Sequence, residues 1–176
     1  MKKRNLAVIA MAVFLVIGTV TQAFAESMKP YVNKQKGFTI SFPNNWQLKE
    51  KLSGVDVIAL SPLEGKKDIF RENVNVIAIA KLPPKYTLKV FYDENVKDMK
   101  KNLNKFTIVS EKDIKINGVD AKKLVYTHNM YKHTMKASAF VIAGKEKACF
   151  ITCTATPDTF AKWDARFDTI AKTFKF

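Results

Sequence analysis

Residues 106–156 read FTIVSEKDIKINGVDAKKLVYTHNMYKHTMKASAFVIAGKEKACFITCTAT, and their reading decides the fold. Asn117-Gly118 is the strongest hairpin dipeptide in the chain, because both residues tolerate the left-handed backbone that a two-residue turn demands. Phe106–Ile116 therefore enters this turn as a strand, and Val119–His128 returns antiparallel. A second reversal is expected over Asn129–Lys132, sending Thr134–Ala143 back. Gly144-Lys145 makes a third turn into Ala148–Thr156. Four strands joined by short turns form a meander, which requires antiparallel pairing.

Outward from the meander, Thr156-Pro157-Asp158 supplies an N-cap, a first-turn proline and an early acid. Phe160, Trp163, Phe167, Ile170 and Phe174 follow as one apolar stripe, so the chain ends in an amphipathic helix. Upstream, Phe38, Ile40 and Phe42 alternate with polar residues as a half-buried strand requires. Pro43-Asn44-Asn45 turns the chain and delivers Trp46 to the next strand. Val55–Leu60, interrupted by Asp56, and Val74–Leu82 read as two more strands. In the second, Val74 and Val76 face one way and Ile77 and Ile79 another, which predicts cover on both sides. The charged stretch Leu63–Glu72 between them reads as a loop. After Pro83-Pro84, Thr87 is placed to cap a helix in which Leu88, Phe91, Tyr92, Val96, Met99 and Leu103 recur at helical spacing. Strands, helix, meander and helix together predict an α+β fold, an antiparallel β-sheet flanked by helices on both faces.

The chain has 176 residues, 47% of them hydrophobic, which excludes a disordered or collagen-like protein. Lys2, Lys3 and Arg4 precede an apolar run at 6–20, and Ala23 and Ala25 stand at the minus-three and minus-one positions of a signal-peptidase site. The expected division is a cleavable signal peptide over 1–25 and a single domain over 26–176, with cleavage at Ala25/Glu26 and release to the periplasm or the exterior. The 30 Lys+Arg less the three in the leader face 16 Asp+Glu, a net charge of +11 for the remainder. Its positive residues are Lys except Arg71 and Arg166. Lys is a hydrated point charge rather than the planar fork that grips bases and phosphates, so no nucleic-acid partner is expected. The charge suits an acidic protein partner, an anionic membrane or a cell-wall surface.

The run Gly37-Phe38-Thr39-Ile40-Ser41-Phe42-Pro43-Asn44-Asn45-Trp46 resembles the GF…P-x-x-W opening of PsbP-like and DcrB-like domains. The Asn117-Gly118 hairpin leading into Ala121–Tyr126 is similar to the central hairpin of that family, and Thr173-Phe174-Lys175-Phe176 to its close. The resemblance spans most of 31–176 and implies a PsbP-like α-β-α sandwich in a protein acting outside the cytoplasm. PsbP is an extrinsic subunit of the oxygen-evolving complex of photosystem II. DcrB-like members are bacterial envelope proteins, commonly lipid-anchored, whereas this leader carries no cysteine for a lipid. The lack of catalytic motifs, the two-sided fold and the basic surface lead to the expectation of a non-catalytic accessory protein that binds or helps assemble an envelope or membrane-associated complex. The alternative is a copper- or zinc-handling protein that uses a His/Met hairpin.

The sequence contains no G-x-S-x-G elbow, P-loop, H-E-x-x-H or EF-hand loop, so no enzyme is expected. One local pattern carries ligand chemistry, His128-Asn129-Met130-Tyr131-Lys132-His133-Thr134-Met135. A four-residue turn over 129–132 would set His128 and His133 across from each other, with Met130 at the tip. These three are the candidate metal ligands, for weak copper or zinc binding, and Met135 is expected to pack beside Tyr126. No other cofactor is indicated. Cys149 and Cys153 lie four apart in one strand, about 13 Å, beyond disulfide reach. Both are expected as buried thiols.

Overall fold

Asn117 and Gly118 both adopt positive φ, 48° and 82°, and the strands on either side pair from Ile116 and Val119 outward. The computed structural model describes residues 27–50, 52 and 54–176. The apolar run at 6–20 and the Ala25/Glu26 junction lie outside the described residues. In chain order the elements are β1 (Met28–Asn33), β2 (Phe38–Pro43), β3 (Gln47–Glu50), β4 (Val57–Leu60) and β5 (Asn73–Ile79). Then come α1 (Leu88–Asn102), β6 (Asn104–Ile116), β7 (Val119–Met130), β8 (His133–Ala143), β9 (Ala148–Ala155) and α2 (Pro157–Lys172). A seven-stranded sheet has the order β3-β4-β5-β9-β8-β7-β6, antiparallel throughout, and β1 and β2 form a separate hairpin. The fold is the α+β sandwich that the sequence predicted. β1 is an addition, since 28–33 reads only as a polar lead.

Both helices begin where their capping residues dictate. Thr87 Oγ1 accepts from Val90 N at 3.3 Å, and Thr156 Oγ1 accepts from Thr159 N at 3.4 Å. Such a bond satisfies a backbone donor that the first turn would otherwise leave unpaired. The apolar stripe of α2 packs on one face of the sheet against Val57, Ala59, Val74, Val76 and Ile151, with β2 closing the side through Phe38, Ile40 and Phe42. Trp46 and Trp163 meet edge to face at 5.8 Å. The C-terminus is stitched to β2 by Thr39 and Lys175, whose backbones exchange bonds of 2.8 and 2.9 Å. Cys149 and Cys153 are free and buried on this face, as their spacing implied.

Asp56, which breaks the apolar run before β4, has a structural task. Its carboxylate accepts from Ala78 N at 2.7 Å and pairs with Lys36 Nζ at 2.7 Å, tying the β1–β2 turn to β5. The opposite face of the sheet is only half covered. Phe91, Tyr92 and Val96 of α1 pack on Leu124, Tyr126, Ala139 and Val141, which belong to β7 and β8. Over β5 the expected second layer is not present among the described residues. Val74 and Val76 are fully buried, whereas Ile77 and Ile79 remain 39% and 36% exposed. A helix about 10 Å across spans roughly two strands of 4.8 Å spacing, so α1, seated at the β6–β8 side, cannot reach β5, β4 and β3.

Candidate functional site

The edge of α1 and the uncovered strands together form a groove of about 440 Å³. One wall is α1, through Asn95, Asp98, Met99 and Asn102. The floor is the sheet, through Asn73, Asn75 and Ile77 of β5, Phe150 and Thr152 of β9, and Tyr126 and His128 of β7. Strand alternation explains the floor: Asn73, Asn75 and Ile77 occupy every second position, opposite in direction to the buried Val74 and Val76. Asn75 Nδ2 donates to Asn73 Oδ1 at 3.3 Å, while Asn75 Oδ1 is buried without a hydrogen-bond partner. Asn95 Nδ2 donates to Phe91 O at 2.7 Å, a bond along the helix. A groove lined by apolar side chains interspersed with several carboxamides suits a ligand with apolar side groups and peptide-like donors and acceptors.

The three sequence-predicted metal residues are redistributed by the register of β7 and β8. The turn contains only Tyr131 and Lys132, so Met130 pairs with His133 and His128 pairs with Met135. His128 and His133 are therefore diagonal rather than opposite, a correction to the expected four-residue turn. The cause is Tyr131, whose φ of 55° lets the chain reverse within two residues, so β7 runs two residues further than the Asn129–Lys132 reading allowed. His128 belongs to the groove, its ring 5.7 Å from that of Tyr126. Burial depresses its imidazole below the ordinary histidine range, with the Asn129 backbone acting weakly the other way, and Nδ1 has no hydrogen-bond partner of good geometry. Met130 borders the groove too, and with His133 and Met135 it lines a second hollow, of about 370 Å³, bounded by Ile69, Phe70 and the N-terminus of α2 at Pro157 and Asp158. Met135, expected beside Tyr126, is opposite His128 and joins His133 on one side of β8. Among the described residues, no group of three or more His, Cys, Asp and Glu is placed to hold a metal ion.

The asparagines of the groove were not anticipated. Their signal was present in the sequence: Asn73 and Asn75 alternate with valines, and Asn95, Asp98 and Asn102 recur at helical spacing. They fall on faces opposite the ones that the apolar residues mark, which is where a reading built on hydrophobic periodicity does not look.

A seven-stranded antiparallel sheet carrying one helix on each face defines a PsbP-like domain. Cyanobacterial PsbP (CyanoP) from Synechocystis sp. PCC 6803 superposes with a TM-score of 0.64 at 20% identity, covering 90% of this chain and 98% of its own. LpqN of Mycobacterium tuberculosis, a protein involved in cell envelope biogenesis, superposes with a TM-score of 0.63 at 13% identity, covering 85% of this chain and 90% of its own. These likenesses establish the fold. The sequence model of the DcrB family matches residues 67–173, and the chain belongs to that family. No curated protein matches it in sequence.

Proposed function

We propose that this DcrB-family protein is an exported, non-catalytic accessory protein that binds a segment of an envelope or membrane-associated protein in the groove between α1 and the open half of the sheet. The groove carries this reading. Asn73, Asn75, Asn95 and Asn102 line a channel whose apolar residues include Ile77, Met99, Met130 and Phe150. A carboxamide presents a donor and an acceptor side by side, the complement of a peptide group in an extended segment. The net charge of +11 over 26–176 favours an acidic partner and a salt-sensitive encounter. The likeness to LpqN and the leader-like N-terminus support export to the envelope.

Site-specific photo-crosslinkers introduced at Ile77 and Asn102 test the reading in intact cells. A discrete, saturable envelope protein captured from both positions, but not from Lys115 on the distal edge strand, is the expected result. Capture should fall at least tenfold when Asn75→Ala is combined with Asn95→Ala, both in the lining of the groove. An identical pattern from all three positions, or capture unaffected by that pair of substitutions, overturns the assignment of the groove.

A further inference from the structure

We propose that Met130, His133 and Met135 form a copper(I)-binding site in the hollow at the free end of the β7–β8 hairpin. The register supplies the geometry. Met130 and His133 are direct cross-strand partners, and Met135 follows His133 by two residues on the same side of β8. Directly opposite side chains start about 5 Å apart, and next-but-one positions along a strand about 6.6 Å apart. Two flexible thioethers and one imidazole across such distances can close on a single ion. All three line the same hollow, and Met130 also borders the groove.

Exposure divides the three in a useful way. Met130 is 41% exposed at the tip and Met135 is 4% exposed beneath it. His133 is exposed beside Met130. An ion would enter past Met130 and His133 and rest against the buried Met135. Met130 belongs to neither buried core cluster, so core packing does not account for a methionine there.

The donor chemistry selects the metal. Thioether sulfur is a soft, uncharged ligand that favours copper(I), while imidazole accepts copper or zinc. Zinc in proteins takes thiolate, imidazole and carboxylate. The hollow holds one imidazole and one carboxylate, Asp158, among its lining residues. That set is too sparse for zinc and contains the two sulfurs that copper(I) prefers. His128 is the cross-strand partner of Met135 but does not line the hollow that Met130, His133 and Met135 share, so it stands outside the set.

Copper(I) offered to the purified full chain as its bicinchoninate complex tests the site, since the loss of the complex's colour reports copper withdrawn. One equivalent should be withdrawn by the native protein. Affinity should fall at least tenfold in Met130→Leu, Met135→Leu and His133→Ala, and stay within twofold in His128→Ala and Asp158→Asn. X-ray absorption of the loaded protein should show sulfur and nitrogen neighbours, with sulfur scattering reduced in Met130→Leu. Should Met135→Leu disturb folding, Met130→Leu and His133→Ala, both at exposed positions, decide the matter. Failure to withdraw copper, unchanged affinity in Met130→Leu together with His133→Ala, a loss in His128→Ala equal to that in His133→Ala, or equal affinity for zinc overturns the proposal. These readouts need no protein partner, so they stand or fall separately from the reading of the groove.

Discussion

Lys123 shows how one residue can be decisive without being part of either site. Its ammonium lies 2.8 Å from Asp164 and 2.6 Å from Asp168, and Ser138 Oγ donates to the same Asp164 oxygen at 2.8 Å. Burial works against the lysine charge, yet the two carboxylates outweigh it and hold its pKa above the ordinary value. Lys123→Met leaves two carboxylates on successive turns of α2 facing the sheet unneutralised. Removing one partner of a buried pair costs about 3–5 kcal/mol; the carboxylates here are about one-third exposed, so a loss of about 2 kcal/mol is expected. A lower urea midpoint at unchanged slope would register it, and adding Asp164→Asn with Asp168→Asn should restore at least half. Cys149 and Cys153 make a second residue-scale case. Burial pushes both thiols well above their usual pKa, so little thiolate forms at neutral pH. A bulky disulfide reagent should label neither in the native protein within minutes and both at once in denaturant; rapid native labelling would show that β9 opens. The thiols, Trp46 and Trp163 were legible in the sequence because burial follows from strand and helix periodicity. The partners of Lys123 were not, because residues 41 and 45 positions apart meet only once the sheet and α2 are packed.

At the scale of elements, the first two hairpin turns of the meander separate what sequence encodes openly from what it hides. Asn117-Gly118 announces its turn, and Asn117 also works after folding: its Nδ2 donates to Lys172 O at 2.9 Å and to Phe174 O at 2.6 Å, closing the end of α2. Asn117→Ala loses a favourable left-handed residue and two bonds to helix-end carbonyls, an expected cost of about 2 kcal/mol. Tyr131-Lys132 makes an equally short turn with residues that give no such signal. Tyr131 is 92% exposed and holds φ at 55°, so an aromatic side chain sits in a backbone region that costs about 1 kcal/mol and contributes little packing in return. Tyr131→Gly should therefore raise the midpoint of thermal unfolding, by an amount equivalent to about 1 kcal/mol. A fall would mean that the ring packs in a way its exposure denies. The same hidden turn explains the misplaced metal residues, since a two-residue change in loop length shifts every cross-strand pair between β7 and β8. Both helix starts, by contrast, were legible to the residue, because Thr87 and Thr156 cap by local chemistry alone.

At the scale of the whole molecule, the governing fact is that seven strands are too many for one helix per face. On the α2 side, β1 and β2 widen the cover; on the α1 side nothing among the described residues does, and the uncovered half becomes the groove floor and the open face of β5, β4 and β3. Hydrophobic periodicity in Val74–Ile79 predicted apolar residues on both faces correctly. It could not show that one face lacks a partner, because that depends on where α1 lands across the sheet. Adjacent residues of one strand make the asymmetry measurable. Val76→Asp puts a carboxylate into the fully buried α2 face and should abolish folding, as an unpaired interior charge costs more than the whole stability of a domain of this size can absorb once packing is also lost. Ile77→Asp, one residue along and 39% exposed, should change stability by less than about 1 kcal/mol and leave the circular dichroism spectrum intact. If Ile77→Asp instead unfolds the protein, the α1 face of β5 is covered in solution and the groove is closed. If it folds but no longer yields the crosslink expected from the groove, the open half-sheet is a binding surface rather than an accident of having more strands than helices.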